Sequence, residues 1–494
     1  MKILIVGIDG GDLDLINGMD MPFLQSLIAD GKQRTLTEDI MSRGWAEILT
    51  GQHGAHTRAF YIRPKLDDSY QFTTSFGVKD ITSNDEVLPI WDLAANAGKK
   101  VGIMNVPTTG PAPNVNGFLV AGGGGGVDKV DGLSESLFKP SSARQILEQN
   151  DYVVDLRLTS EGIKSMDELV DRLNSIVRNR AKSYIKLVEE YKTEVGFLCF
   201  RVSTVLQYLG MSEIQAIISM RSMPELASSD SNLDPKYSKV QERIIEHFRI
   251  LDEAIKSVFV ALSPENHIIT SDHGAVPYLH HINVDAFLEE TGYQIRPKNS
   301  ISLRGLIRKW IVSRLSPSLK AKMVAKAPSS VKNMGVRFDP KKTKAFSNYY
   351  MAGVYVNDTR RFGGIVAEGE ELEALVDEIC ERINDHPVSQ EYGIRGVPYR
   401  RDYSGAKYHD FMPDIRLERP DTTFAVNHGP YVSMNERYGP ISEDLSNATD
   451  MHTGQKGRHP LFVFNEGLAG YDDSKLTDLT AVYGMLSQYL KAGK

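Results

Sequence analysis

Short apolar runs that stop abruptly at polar, chemistry-bearing residues set the rhythm of this chain. Residues 3–8 (ILIVGI) are continuously apolar and end in Asp9-Gly10-Gly11-Asp12. Residues 267–270 (HIIT) are rich in β-branched side chains and end in Ser271-Asp272-His273-Gly274. Continuous apolar runs of this length read as strands buried on both faces of a parallel sheet. Further strands are expected at 100–106 (KVGIMNV), 117–120, 195–200 (VGFLCF) and after His459, with paired strands within 343–357 and another apolar stretch from Pro413.

Helical periodicity alternates with these runs. Residues 21–31 are amphipathic and closed by Gly31, and 89–98 form a second short helix. Residues 139–192 are polar and helical, most regularly over 163–191. Residues 237–262 place Val240, Ile244, Phe248, Leu251, Ile255 and Val258 on one face, and 368–384 repeat that pattern. Strands alternating with helices predict an α/β fold around a mostly parallel sheet. There is no internal repeat and no clear interdomain linker.

In open α/β sheets, ligands bind at the C-terminal ends of the strands. Asp9 and Asp272 both fall there, and His273 follows immediately. Carboxylate oxygen and imidazole nitrogen together suit a divalent cation. The plainer alternative is two turn aspartates, with glycines to bend the chain and a surface His. Residues 42–51 (SRGWAEILTG) form a further helix with Ser42 placed as its N-cap. A serine there is either a cap alone or a nucleophile near N–H groups that hold a phosphoryl oxygen. The glycine run 122–126 lacks the Lys-Ser/Thr of a phosphate loop and reads as a mobile connection.

Composition narrows the classes. The chain has 494 residues, 41% apolar and 24% charged, with a net charge of −7. That balance excludes a generally basic nucleic-acid binder, and no stable nucleic-acid complex is expected. Two cysteines cannot make a disulfide framework and suit a reducing compartment. No run approaches the ~18 apolar residues of a membrane span, and the N-terminal apolar run is too short for a signal peptide. A cytoplasmic protein is expected. One segment differs: residues 301–326 carry seven Lys/Arg interleaved with apolar residues and no acid. It reads as a solvated face, a cap over an anionic site, or a surface-binding helix.

Taken in order, GIDGGD, WAEILTG, GIMNVPTTGPAPNVNGFLV, SDHG with NVDAFLEETGY, and the late DMHTG resemble the alkaline phosphatase superfamily. The likeness is to its type I phosphodiesterase and nucleotide pyrophosphatase branch, and it spans nearly the whole chain. The resemblance implies an alkaline-phosphatase-like α/β domain over 1–494, with cap insertions near 127–190 and 290–340. It implies a metal-dependent phosphohydrolase acting on a small phosphorylated or nucleotide-like substrate through a phospho-enzyme. The family holds two ions, Zn²⁺ or similar such as Mn²⁺, roughly 4 Å apart.

Residue by residue, the resemblance makes Asp9, Asp272 and His273 ligands of one ion and His452 a ligand of the other. Ser42 becomes the nucleophile and Arg43 a contact to a phosphate oxygen. Two departures accompany it. The family nucleophile stands nine residues before the Thr of Thr50-Gly51, where this chain has Met41, so Ser42 serves only if one residue is deleted nearby. The second ion's Asp-x-x-x-His pair corresponds to Thr204 and Tyr208. One bound ion, or a scaffold that binds a phosphorylated ligand or partner without turnover, is the alternative. A phosphotransferase is a third reading. A sulfatase is disfavoured because Met41-Ser42-Arg43-Gly44 lacks the Cys/Ser-x-Pro-x-Arg pattern.

Overall fold

A computed structural model describes the whole chain apart from residues 83, 124–132, 157, 159–161, 223–236, 297–336, 349–350, 352, 420–428, 449–452 and 493–494. The chain divides into two compact units. The first comprises Met1–Tyr61, Ser75–Leu279 and Asn435–Lys494; the second comprises Ile62–Thr74 and His280–Met434.

The first unit is built on an eight-stranded sheet. Its parallel core contains β1 (Ile3–Ile8), β2 (Val101–Met104), β3 (Gly117–Val120), β4 (Val195–Phe200) and β5 (Asn266–Thr270). The spatial order is β5-β1-β4-β2-β3. Antiparallel strands close both edges: Phe138–Lys139 beside β3, and β8 (Phe462–Phe464) followed by Lys32–Gln33 beside β5. Every residue of β1, β2 and β4 is buried. That explains why these strands are uniformly apolar in sequence rather than alternating.

Helices cover the sheet. The longest are α2 (Met166–Tyr191) and α4 (Lys239–Leu262), which pack against each other. Each starts with a serine cap: Ser165 Oγ accepts from the Glu168 amide, and Ser238 forms a reciprocal box with Gln241. Such caps contribute roughly 1 kcal/mol each. The expected helix over 139–192 includes two separate pieces, Ala143–Gln149 and α2, because the chain turns at Asn150 and Asp151, where Asp151 has φ 48°, and is irregular over 152–156. The basic segment 301–326 and most of the glycine run lie outside the described residues. No helix among the described residues is long and apolar enough to cross a membrane.

The second unit has its own core. A four-stranded antiparallel sheet runs in the order Ala345–Ser347, Gly353–Val356, Ile415–Glu418, Arg395–Pro398. The helix Glu370–Asp385 buries Leu372, Leu375, Val376, Ile379 and Ile383 in the same cluster as residues of that sheet. The paired strands expected within 343–357 are the first two strands of this sheet, joined antiparallel.

The register of the first sheet positions the site. Strand β1 lies between β4 and β5, with Ile8 opposite Phe200 and Gly7 opposite Thr270. The residues that follow these three strands are Asp9, Arg201 and Ser271-Asp272. They emerge side by side at one end of the sheet.

Candidate metal centre

Chain geometry around the strand ends is tightly specified. Gly10 has φ +70°, a left-handed conformation that favours glycine, and it turns the chain just after Asp9. The Ser271 hydroxyl donates to the Gly11 carbonyl at 2.6 Å and accepts from the Leu461 amide at 2.8 Å. The Asp12 carboxylate accepts from the amides of Leu15 and Ala275. Burial raises the Asp12 carboxyl to about 6. These bonds fix the loop after β1 against the loop after β5. The chain after β5 continues as β6 (Gly274–Pro277), paired antiparallel with β7 (Gly454–Gly457), with Ala275 opposite Lys456.

Within this frame Asp9, Asp272 and His273 converge. Each offers one ligand atom, and those atoms lie within 4.8 Å of one another, the one such group among the described residues. His273 Nδ1 is 2.7 Å from the Gly274 carbonyl oxygen. A carbonyl only accepts, so Nδ1 carries the proton and Nε2 presents a lone pair. Burial and the Lys456 charge push the His273 imidazole down to about 3, so it stays neutral. Nε2 is 3.4 Å from Asp272 Oδ2 and 3.8 Å from Asp9 Oδ1. A lone pair facing two carboxylates is an arrangement that a bridging cation stabilises. Asp272 Oδ1 is buried with no hydrogen-bond partner. Burial, and then the neighbouring Asp272 charge, raises the Asp9 carboxyl; burial also raises Asp272. Two desolvated carboxylates, an orphaned oxygen and a correctly oriented imidazole fit one divalent ion.

Other groups surround the three ligands. The Trp45 indole N–H donates to Asp9 Oδ2 at 3.1 Å, and the Tyr61 hydroxyl donates to Asp272 Oδ2 at 3.2 Å. Tyr208 Oη lies 3.4 Å from His273 Nε2. Arg201 Nε is 3.9 Å from Asp9 Oδ2 and its guanidinium pairs with Asp155. Lys456 Nζ is 3.8 Å from Asp272 Oδ2 and 2.9 Å from the Tyr61 hydroxyl. Burial holds the Lys456 ammonium below its ordinary value, against the opposing pull of Asp272 and Asp9.

Ser42 sits differently from the sequence expectation. The helix α1 is Gly44–Thr50, and its N-cap residue is Arg43, which makes no side-chain cap bond. Ser42 therefore does not cap it. Instead Asp39 Oδ1 accepts from the amides of Met41 and Ser42, which shapes the turn one step earlier. The Ser42 side chain is fully buried, and its oxygen accepts from the Gly54 amide at 2.9 Å. Burial raises the Glu47 carboxyl to about 7, and Glu38, buried against it, is raised as well. The start of α1 touches the metal centre through its backbone: a Cβ on Gly44 would stand 2.4 Å from the Asp272 carbonyl oxygen. Arg43 Nε donates to the Phe60 carbonyl, and its guanidinium lies over the Tyr61 and Phe76 rings, 5.1 and 4.9 Å from their centroids.

Of the expected site residues, the structure brings Asp9, Asp272 and His273 together and places Ser42 and Arg43 on the adjoining turn. His452 lies outside the described residues. Thr204 and Tyr208 are buried or nearly so in α3 (Thr204–Ser222), directly after β4. Arg201, Lys456, Trp45, Tyr61 and Glu47 are additions. Arg201 could have been found, since it follows a strand of the same kind as β1. Lys456 carries no such mark.

A buried Asp-Asp-His group that could hold a metal ion stands at the strand ends of a mostly parallel α/β sheet. The family model for type I phosphodiesterase / nucleotide pyrophosphatase matches residues 3–429, and this chain belongs to that family. Among solved structures, phosphonoacetate hydrolase from Sinorhizobium meliloti 1021, in complex with phosphonoformate, aligns over 99% of this chain and 96% of its own. Sequence identity is 11% and the TM-score 0.54, a likeness of fold. Murine ectonucleotide pyrophosphatase / phosphodiesterase 5 aligns over 99% of this chain and 95% of its own, at 13% identity and a TM-score of 0.43. Among curated proteins, none matches this chain in sequence.

Proposed function

We propose that this protein is a divalent-metal-dependent phosphohydrolase of the phosphodiesterase type, acting on a small phosphorylated or nucleotide-like substrate. The observation that carries the reading is the convergence of Asp9, Asp272 and the neutral Nε2 of His273 within 4.8 Å at the strand ends. An ion held there, Zn²⁺ or Mn²⁺, supplies Lewis acidity toward a phosphoryl oxygen and lowers the pKa of a nearby hydroxyl.

The chain's own residues complete the chemistry. Ser42 Oγ attacks phosphorus; a P–Oγ bond forms as the bond to the leaving oxygen breaks. Glu47, a buried neighbour of Ser42 whose carboxyl is raised to about 7, accepts the hydroxyl proton near neutral pH. The Gly54 amide donates to Oγ and steadies its developing negative charge. Arg43 orients a phosphate oxygen. Water then releases the phosphoryl group from Ser42.

One observation favours a second reading. Ser42 is fully buried, which suits a scaffold that binds a phosphorylated ligand without turnover. Hydrolysis of bis-p-nitrophenyl phosphate after chelation and add-back of Zn²⁺ or Mn²⁺ separates the two. The enzyme reading predicts ion-dependent turnover that falls more than ~10³-fold in Ser42→Ala. Full turnover in Ser42→Ala removes the serine from the mechanism. No turnover with any ion, but retained binding of the phosphate ester, selects the binding protein.

A further inference from the structure

The three ligands form the floor of a site whose rim is cationic. The Arg201 and Lys456 side chains are 21% and 12% exposed, whereas Asp9, Asp272 and His273 are 8%, 3% and 1% exposed. The two cations therefore stand nearer the solvent than the ligands beneath them. Neither is tightly bonded to the site carboxylates. Their nitrogens lie 3.9 and 3.8 Å from Asp9 and Asp272, beyond the ~2.7–2.9 Å of a charge-assisted hydrogen bond. Asp272 Oδ1, without a hydrogen-bond partner, is left for a metal ion. Both cations are held in place by other partners: Arg201 by Asp155, Lys456 by the Tyr61 hydroxyl and by its ring, 4.2 Å from Nζ to the centroid.

Charge arithmetic separates one ion from two. Asp9, Asp155 and Asp272 contribute three negative charges. Arg201 and Lys456, the cations paired with them, contribute two positive ones, and His273 is neutral. The sum is −1. One divalent ion brings this cluster to +1, suited to a phosphate group; a second would bring it to +3 with cationic side chains as its neighbours. Among the described residues there is one group of three potential ligands. The positions where the resemblance expects a second ion's Asp and His carry a threonine and a tyrosine, Thr204 and Tyr208, and the Tyr208 hydroxyl is turned to the ligand imidazole. Among the described residues a second ion finds no ligand set of its own.

We propose that this site takes one divalent cation, and that Lys456 and Arg201, fixed above the ligands, supply the contacts to a bound phosphate group that a second ion would make. The proposal rests on the metal-dependent reading above, and its failure is distinguishable from that reading's. Chelator-stripped full-length protein is titrated with Mn²⁺ and bound metal is counted by mass spectrometry. Binding of inorganic phosphate to the Mn²⁺-loaded protein is then followed by calorimetry. The expected result is one ion per chain, and a Lys456→Met variant that keeps its ion but binds inorganic phosphate ~10-fold or more weakly. Two ions per chain overturn the proposal while leaving metal dependence intact. No bound ion overturns the underlying reading and the proposal with it. Unchanged phosphate affinity in Lys456→Met overturns the assigned role of the lysine. Should that variant not fold, Lys456→Gln and Arg201→Gln give the same readout, and the wild-type ion count stands without any variant.

Discussion

Replacing Asp272 by asparagine keeps the shape of the side chain and removes one of the three charged or imidazole ligands. Without metal, two effects of this change oppose each other. The Asp272–Lys456 attraction at 3.8 Å is worth about 4 kcal/mol at an effective dielectric near 20. Keeping a fully buried carboxylate charged costs several kcal/mol. The metal-free variant should therefore differ from metal-free wild type by only about 1 kcal/mol. With metal the two proteins diverge. An ion at a concentration ~100 times its dissociation constant stabilises the wild type by about 2.7 kcal/mol. Even outer-shell changes weaken metal binding by ~10–100-fold, so loss of a direct ligand should cost ~100-fold or more. At the same ion concentration the variant then gains only about 0.4 kcal/mol. Urea denaturation of both proteins, with saturating Mn²⁺ and with chelator, measures the difference. A variant that keeps the full ion-dependent gain would show that Asp272 does not hold the ion.

Other outcomes follow from the same geometry. Trp45→Phe removes the 3.1 Å bond to Asp9 Oδ2 and should weaken Mn²⁺ binding by ~10-fold in a calorimetric titration. Gly44→Ala places a methyl 2.4 Å from the Asp272 carbonyl oxygen; backbone displacement should cost ~1–3 kcal/mol and weaken ion binding together with stability. The raised Glu47 carboxyl gives a pH signature. The folded state holds this proton more tightly than the unfolded chain. Its contribution is therefore fully present below pH 4.5 and is lost as pH rises through about 7. The integrated loss is at most ~3 kcal/mol. Urea midpoints measured across that window should fall in the wild type, and the fall should be smaller in Glu47→Gln.

The parts of the site that were legible in sequence are those that follow from strand geometry. Asp9 and Asp272-His273 end uniformly apolar runs, and parallel packing forces such residues to one edge of the sheet. Long amphipathic helices were legible for a similar reason: 237–262 and 368–384 are observed as Lys239–Leu262 and Glu370–Asp385. What depended on tertiary placement was not legible. Ser42 looks like a cap because it precedes a helical run, yet Asp39 takes the two amides that define the turn. Glu47 reads as an ordinary helical acid; only packing of α1 buries it against Glu38 and Ser42. Lys456 reaches the site through the pairing of β7 with β6, strands nearly two hundred residues apart in sequence, and no local pattern encodes that register. Nor is the division between units marked by a Pro/Gly/Ser-rich stretch at Tyr61 or Leu279.

The central claim is that Asp9, Asp272 and His273 hold a divalent ion. Anomalous scattering from crystals equilibrated with Mn²⁺ tests it directly. The account predicts one peak within about 2.0–2.3 Å of His273 Nε2 and an oxygen of each carboxylate. A peak held by other residues, or none at saturating ion, would contradict it.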